Sequence, residues 1–152
     1  FALVELGTDH AQGRTAVATQ RFRDRARAAG PKVRNQLAAL TGAGKKIAIW
    51  GGTGKAAAFI NRYGLDAEAF PTVVDSDPAK VGTHVPGTGQ AIQYRDHLKS
   101  APVDVVLIPP QWRAKDIIAE MNRVGIPFAQ ALIEHDGQLV DFLTGDHPYA
   151  KE

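Results

Sequence analysis

The feature that most constrains this chain is a change of rhythm at residue 46. From there on, short apolar runs of strand length alternate with longer stretches of helical period. KIAIW (46–50) reads as a buried strand, and residues 54–63 read as a helix stopped by Gly64. PTVVD (71–75) is the next strand. AIQY (91–94) is a short one, followed by the brief helix candidate RDHLKS. VDVVLI (103–108) is dominated by β-branched residues, as suits a strand covered on both faces. AKDIIAEMNRVG (114–125) is an amphipathic helix ending at glycine. PFAQALI (127–133) is a strand, and GQLVDFL a further strand or a loop. Alternation at these lengths predicts an α/β fold, a doubly wound and mainly parallel sheet with flanking helices. Its crossovers are expected to be right-handed.

Upstream of residue 46 the pattern differs. Residues 1–13 join the apolar run FALVEL to the turn-rich GTDHAQG. Residues 14–29 have helical period, with Val17, Phe22 and Ala26 or Ala29 near one stripe and arginines elsewhere. Gly30-Pro31 is expected to interrupt this helix. A second helix then starts over KVRNQLAAL (32–40), since proline suits a first helical turn, and TGAG (41–44) ends it. The expected division is a helical lead-in or connector over 1–40, a Rossmann-like nucleotide-binding domain over 41–145 and a tail over 146–152.

Composition removes several classes of function. At 152 residues, 44% apolar and 22% charged, the chain is one globular domain's worth. A net charge of +2 is too small to argue for nucleic acid. The basic bunch RFRDRARAAGPKVR (21–34) holds Phe22 as its one aromatic, so it reads as a solvated helix face. No apolar stretch approaches the roughly 20 residues of a membrane span, and nothing reads as a signal peptide. The absence of cysteine excludes a disulfide framework, a thiolate zinc site and a cysteine nucleophile. It fits a reducing cytosol, so a cytoplasmic location is expected. The chain starts at Phe1 and its one methionine is Met121. It is therefore expected to be a piece of a longer protein, a processed product, or a sequence lacking its first residues.

The chemistry concentrates at WGGTGKAAAF (50–59). Gly52, Gly54 and Ala57 satisfy the G-x-G-x-x-G/A pattern, following a strand and opening a helix as that motif requires. The first small residue permits the turn, the second lets backbone approach phosphate, and the third lets helix pack on strand. Asp75 ends the next strand 23 positions after Gly52, where a carboxylate would accept hydrogen bonds from ribose hydroxyls. A Walker A loop is excluded by Ile49 and Ala56, a nucleophile elbow by the lack of serine. A methyl-donor site of the common S-adenosylmethionine type usually has an acidic residue where this chain has Trp50. The alternative stays open that the turn merely joins strand to helix and that Asp75 caps a loop.

Two further segments flank this turn. DSDPAKVGTHVPGTGQAI (75–92) carries Lys80 and His84, and its stretch 81–91 lacks an apolar face. Long loops at the carboxyl edge of a parallel sheet often bear function. PPQW (109–112) follows the strongest strand and is expected at the same edge, beside the reversal of strand order. There Trp112 either stacks on a base or packs against the sheet. The five histidines show no metal spacing. Glu134-His135-Asp136 reads as a turn, not a dyad.

WGGTGKAAAFINRYG, VVDSDPAKVGTHVPGTGQAI and VDVVLIPPQW with its following helix resemble the C-terminal domain of sugar C-methyltransferases. The likeness covers about residues 32–133. Its most specific element is the run Asp75, Pro78, Lys80, Gly82, Pro86, Gly87, Thr88. Gly51, Gly54 and Lys55 fit the family's turn, while Ala56 stands where the family usually has glycine. The resemblance implies a substrate-holding module for a nucleoside-diphosphate sugar. The zinc-binding and S-adenosylmethionine domains, and the catalytic residues, would lie in the remainder of the parent methyltransferase, to which residues 14–40 connect. No cofactor, metal or catalytic residue is then expected in this chain, nor a nucleic-acid or membrane partner. The candidate binding residues are Gly51, Gly52, Thr53, Gly54, Lys55, Asp75, Lys80, Pro86, Gly87, Thr88, Gln111 and Trp112. Two other readings stand beside this one. One is a ligand-free Rossmann-like scaffold or interaction domain. The other is a small NAD-dependent oxidoreductase, which the lack of a Tyr-x-x-x-Lys pair disfavours: Ala67 and Leu98 follow Tyr63 and Tyr94 at that spacing.

Overall fold

In the computed structural model, which describes residues 9–150, each apolar run after Lys46 becomes a strand. The strands are β1 (Ile47–Trp50), β2 (Thr72–Asp75), β3 (Ile92–Tyr94), β4 (Val105–Leu107), β5 (Gln130–His135) and β6 (Gln138–Asp141). The helices are α1 (Asp9–Gly42), α2 (Lys55–Tyr63), α3 (His97–Ser100) and α4 (Ala114–Val124). The six strands make one sheet in the order β3-β2-β1-β4-β5-β6. All neighbours are parallel except β5 and β6. From β1 the chain works outward to β3, then returns to place β4 on the other side of β1. The fold is thus α/β and Rossmann-like, with its topological switch between β1 and β4.

Alternation along each strand builds two cores. Ile47 and Ile49 of β1 join Val73, Ile92 and Leu107 on one face, covered by Val33 and Leu37 of α1 and by Phe59, Ile60 and Tyr63 of α2. Ala48 and Trp50 point the other way, with Val74, Val106 and Ile108, and are covered by Leu98 of α3 and by Ile117, Ile118 and Met121 of α4. Since both faces are covered, the central strands β1 and β4 carry no polar residue. GQLVDFL resolves as a strand. It returns from β5 through Asp136-Gly137, whose φ values of 47° and 75° fit the two-residue hairpin turn that follows the sheet's twist.

The expected break at Gly30-Pro31 does not occur. α1 runs unbroken through Pro31, although an interior proline lacks an N–H and crowds the preceding turn. Two local features offset that cost. Gly30 has no Cβ to clash with the proline ring, and the turns beyond it are anchored by Val33 (0% exposed) and Leu37 (2%). Residues 9–13, read as a turn, also belong to α1. A single interior glycine costs only about 1 kcal/mol against alanine, too little to end such a helix. The reading of residues 1–8 lies outside the described residues.

The stretch 81–91 also differs from expectation. It buries Val85 (1% exposed) and Gln90 (2%), and His84 pairs with Ala91 in an isolated antiparallel bridge. Periodicity misses such a loop because single side chains anchor it. Val85 covers part of the sheet face beside α2.

Candidate functional site

The glycine turn is built by close packing. Gly51 extends the sheet by one bond, donating its N–H to the Val74 carbonyl at 2.7 Å. Gly52 lies against β3, where a Cβ would stand 2.6 Å from Ile92 Cγ1 and 3.1 Å from Val85 Cγ2. Gly54 caps α2 with φ 55° and ψ −125°, a conformation open to glycine and strained for other residues. Ala56, where the resemblance expects glycine, is buried, and its Cβ lies 3.1 Å from where a Cβ on Gly51 would be.

This geometry leaves donors pointing outward. Among the described residues no acceptor takes the N–H groups of Gly52, Thr53, Gly54 or Lys55. The Thr53 carbonyl accepts from Ala56 at 3.1 Å, and that of Gly54 from Ala58 at 3.0 Å, so helical bonding begins just inside the mouth. No acidic residue stands in the first turn of α2 to offset the partial positive charge there.

PPQW stands at the same edge, as its place after β4 predicts. Residues Gln111–Arg113 form a 3-10 turn leading into α4. Lys55 Nζ donates to Gln111 Oε1 at 2.7 Å and lies 4.6 Å from the centroid of the Trp112 ring. Gln111 Nε2 in turn donates to the Glu134 carbonyl at 3.3 Å. Trp112 is 60% exposed, so it does not pack into the sheet as Trp50 does at 3%. Lys55, Gln111 and Trp112 thus form one group across the switch point.

Asp75 and Lys80 form a second group. The Asp75 carboxylate accepts the Asp77 N–H at 2.9 Å through Oδ1 and meets Lys80 Nζ at 3.3 Å through Oδ2. At 6% exposure both its oxygens are engaged within the protein. A ribose at this position has to compete with Lys80 and Asp77 for them.

Pro86, Gly87 and Thr88 form a third group, with no hydrogen bond to the other two. The Pro86 carbonyl accepts from Asn61 Nδ2 at 2.8 Å, and Gly87 packs against the same amide. The Thr88 hydroxyl donates to Gln90 Oε1, while Gln90 Nε2 reaches the carbonyls of Leu65 at 2.7 Å and Phe70 at 3.3 Å. Asn61 and Gln90 therefore fasten the loop to α2 and to the segment after it. Neither has a sequence signal, because each bonds to main chain about 25 residues away.

The remaining polar groups make no comparable cluster. Of Glu134-His135-Asp136, read as a turn, Glu134 and His135 instead end strand β5, where they pair with β6. The turn itself begins at Asp136, whose carboxylate lies 3.7 Å from His135. His147 is buried beside Phe142, its Nε2 2.8 Å from the Phe142 carbonyl. Among the described residues no group of three or more His, Asp or Glu side chains is arranged to hold a metal ion. No helix among them is long and apolar enough to cross a membrane.

Comparison with known proteins agrees with this architecture. No curated protein matches the chain significantly. The family model for the C-methyltransferase C-terminal domain matches residues 6–139, spanning α1, the glycine turn, the Asp75–Thr88 run and the sheet as far as β6. With most of its length matched, the chain belongs to the C-methyltransferase C-terminal domain family.

Proposed function

We propose that this chain is the substrate-holding domain of an S-adenosylmethionine-dependent sugar C-methyltransferase, and that it takes the diphosphate of a nucleoside-diphosphate sugar at the mouth of α2. The observation that carries this reading is the cluster of unaccepted N–H groups from Gly52 to Lys55, with the Lys55 ammonium beside them at the topological switch point. Backbone donors, a helix N-terminus and an uncancelled cation together favour an anion. The exposed Trp112 ring supports the reading as a surface on which a base stacks.

Methyl transfer belongs to the rest of the parent enzyme in this proposal. An S-adenosylmethionine site of the common type does not fit here, because the acidic position before the glycines holds the buried Trp50. The cysteine-free composition fits a cytoplasmic enzyme. One observation favours a second reading, a scaffold without ligand: the Asp75 carboxylate is satisfied by Lys80 and Asp77. It equally weakens a nicotinamide-dinucleotide reading, which asks that carboxylate for a ribose contact.

Thermal unfolding separates these readings. A ligand that binds the folded state alone stabilises it by about 2.7 kcal/mol at 100 times its dissociation constant. A panel of nucleoside-diphosphate sugars is expected to raise Tm by several degrees, and nicotinamide dinucleotides are not. No shift with any sugar nucleotide at millimolar concentration supports the scaffold.

A further inference from the structure

We infer that Gln111 is a positioning residue: it fixes the Lys55 ammonium at the switch point while leaving its positive charge uncancelled for a diphosphate. This inference rests on the proposal that the carboxyl edge takes a nucleoside-diphosphate sugar.

The orientation of the Gln111 amide is forced by its two neighbours. Lys55 is donor-only and meets Oε1 at 2.7 Å, while the Glu134 carbonyl is acceptor-only and meets Nε2 at 3.3 Å. The side chain therefore links the turn after β1 to the strand β5 across β4. Three other cations are held by carboxylates. Lys80 is paired with Asp75, Lys99 with Asp96 and Arg95 with Glu120. Lys55 instead meets a neutral amide and an aromatic face. The indole quadrupole attracts the ammonium without neutralising it. One of its three N–H donors goes to Gln111, which leaves two for a ligand. A carboxylate at 111 would hold Lys55 equally well and cancel its charge. An alanine would release it and keep the charge.

Two substitutions therefore separate position from charge. Inorganic pyrophosphate and UDP-glucose are titrated calorimetrically into the unsubstituted protein, Gln111→Ala and Gln111→Glu, at low and high salt. Gln111→Glu is expected to weaken binding by about tenfold or more, and to flatten its salt dependence, because the lysine charge is already met. Gln111→Ala is expected to lose several-fold in affinity and keep the original salt dependence. A purely structural role, acting through the Glu134 carbonyl, lowers Tm in both variants and leaves both salt dependences unchanged. Gln111→Glu binding as tightly as the unsubstituted protein overturns the assignment of Gln111. Failure of the unsubstituted protein to bind either probe overturns the site itself, and the role of Gln111 with it. Should Gln111→Glu not fold, Trp112 emission in the unsubstituted protein decides. An anion joining Lys55 over the indole changes that emission, and an unchanged spectrum at saturating pyrophosphate overturns the placement.

Discussion

Tyr63 shows how one atom can run against its surroundings. The last residue of α2, it is 2% exposed in the core, and its hydroxyl has no hydrogen-bond partner. Burial, and next the Glu134 carboxylate, raise its pKa above the ordinary tyrosine value. The folded state then keeps its proton where the unfolded chain has lost it. This contribution to stability is complete below the unfolded value of about 10 and is lost as pH rises through the folded one. Tyr63→Phe removes both the orphan hydroxyl and the alkaline loss. It is expected to stabilise the protein by about 1 kcal/mol, read by urea denaturation. Across pH 9 to 11 the variant is expected to lose less stability than the parent. Gly52 carries the opposite constraint. A methyl group there meets Ile92 and Val85, so Gly52→Ala is expected to cost about 1–3 kcal/mol in the same assay. Gly54→Ala meets no atom within 4 Å, so its cost comes from backbone strain alone.

Elements show the same division between exposed and packed parts. Every described side chain of α1 from Gly13 to Ala28 is exposed, including Phe22 at 73%, and burial begins at Gly30. Removing the residues before Gly30 is therefore expected to reduce the helical circular dichroism signal while leaving Tm nearly unchanged. A large fall in Tm would show that the exposed half supports the fold. The packed half closes the sheet in a specific way. Gln36 Nε2 donates to the Leu139 carbonyl at 2.9 Å, and Gln36 Oε1 accepts the Leu139 N–H at 2.8 Å. One side-chain amide thus satisfies a stretch of the outer edge of β6, where an open strand would otherwise offer itself for pairing. Gln36→Ala leaves both Leu139 groups without that partner and is expected to cost about 1–3 kcal/mol. It should also raise the tendency to associate, which light scattering reads. The β2–β3 connection is held in the same way, by side-chain amides. Asn61 and Gln90 tie the loop to main chain, so the run Asp75 to Thr88 serves the shape of the edge as well as any ligand.

At the scale of the whole molecule, the two tryptophans report different things. Trp50 is enclosed between the sheet and α4, whereas Trp112 stands exposed over Lys55. Trp112→Phe is expected to leave a single blue-shifted emission that moves red in one cooperative step on unfolding. A red spectrum from the folded variant would contradict the two-layer packing. The architecture was legible in the sequence because the central strands β1 and β4 are unbroken apolar runs and the helices α2 and α4 end at Gly64 and Gly125. The shared edge of GGTGK and PPQW was legible as well, since parallel strands deliver every loop that follows one to the same side. The continuity of α1 was not, because local rules at Gly30-Pro31 favour a break and the anchors that oppose it, Val33 and Leu37, act through the distant sheet. Nor was the satisfaction of Asp75 by Lys80, or the hold of Gln111 on Lys55, 56 residues away in sequence. Short-range chemistry settles which segments become strands, helices and turns, since propensity and period act within a few residues. Which polar atoms are spent on one another and which still face outward depends on the finished packing, because hydrogen bonds form between whatever groups the fold brings within about 3 Å.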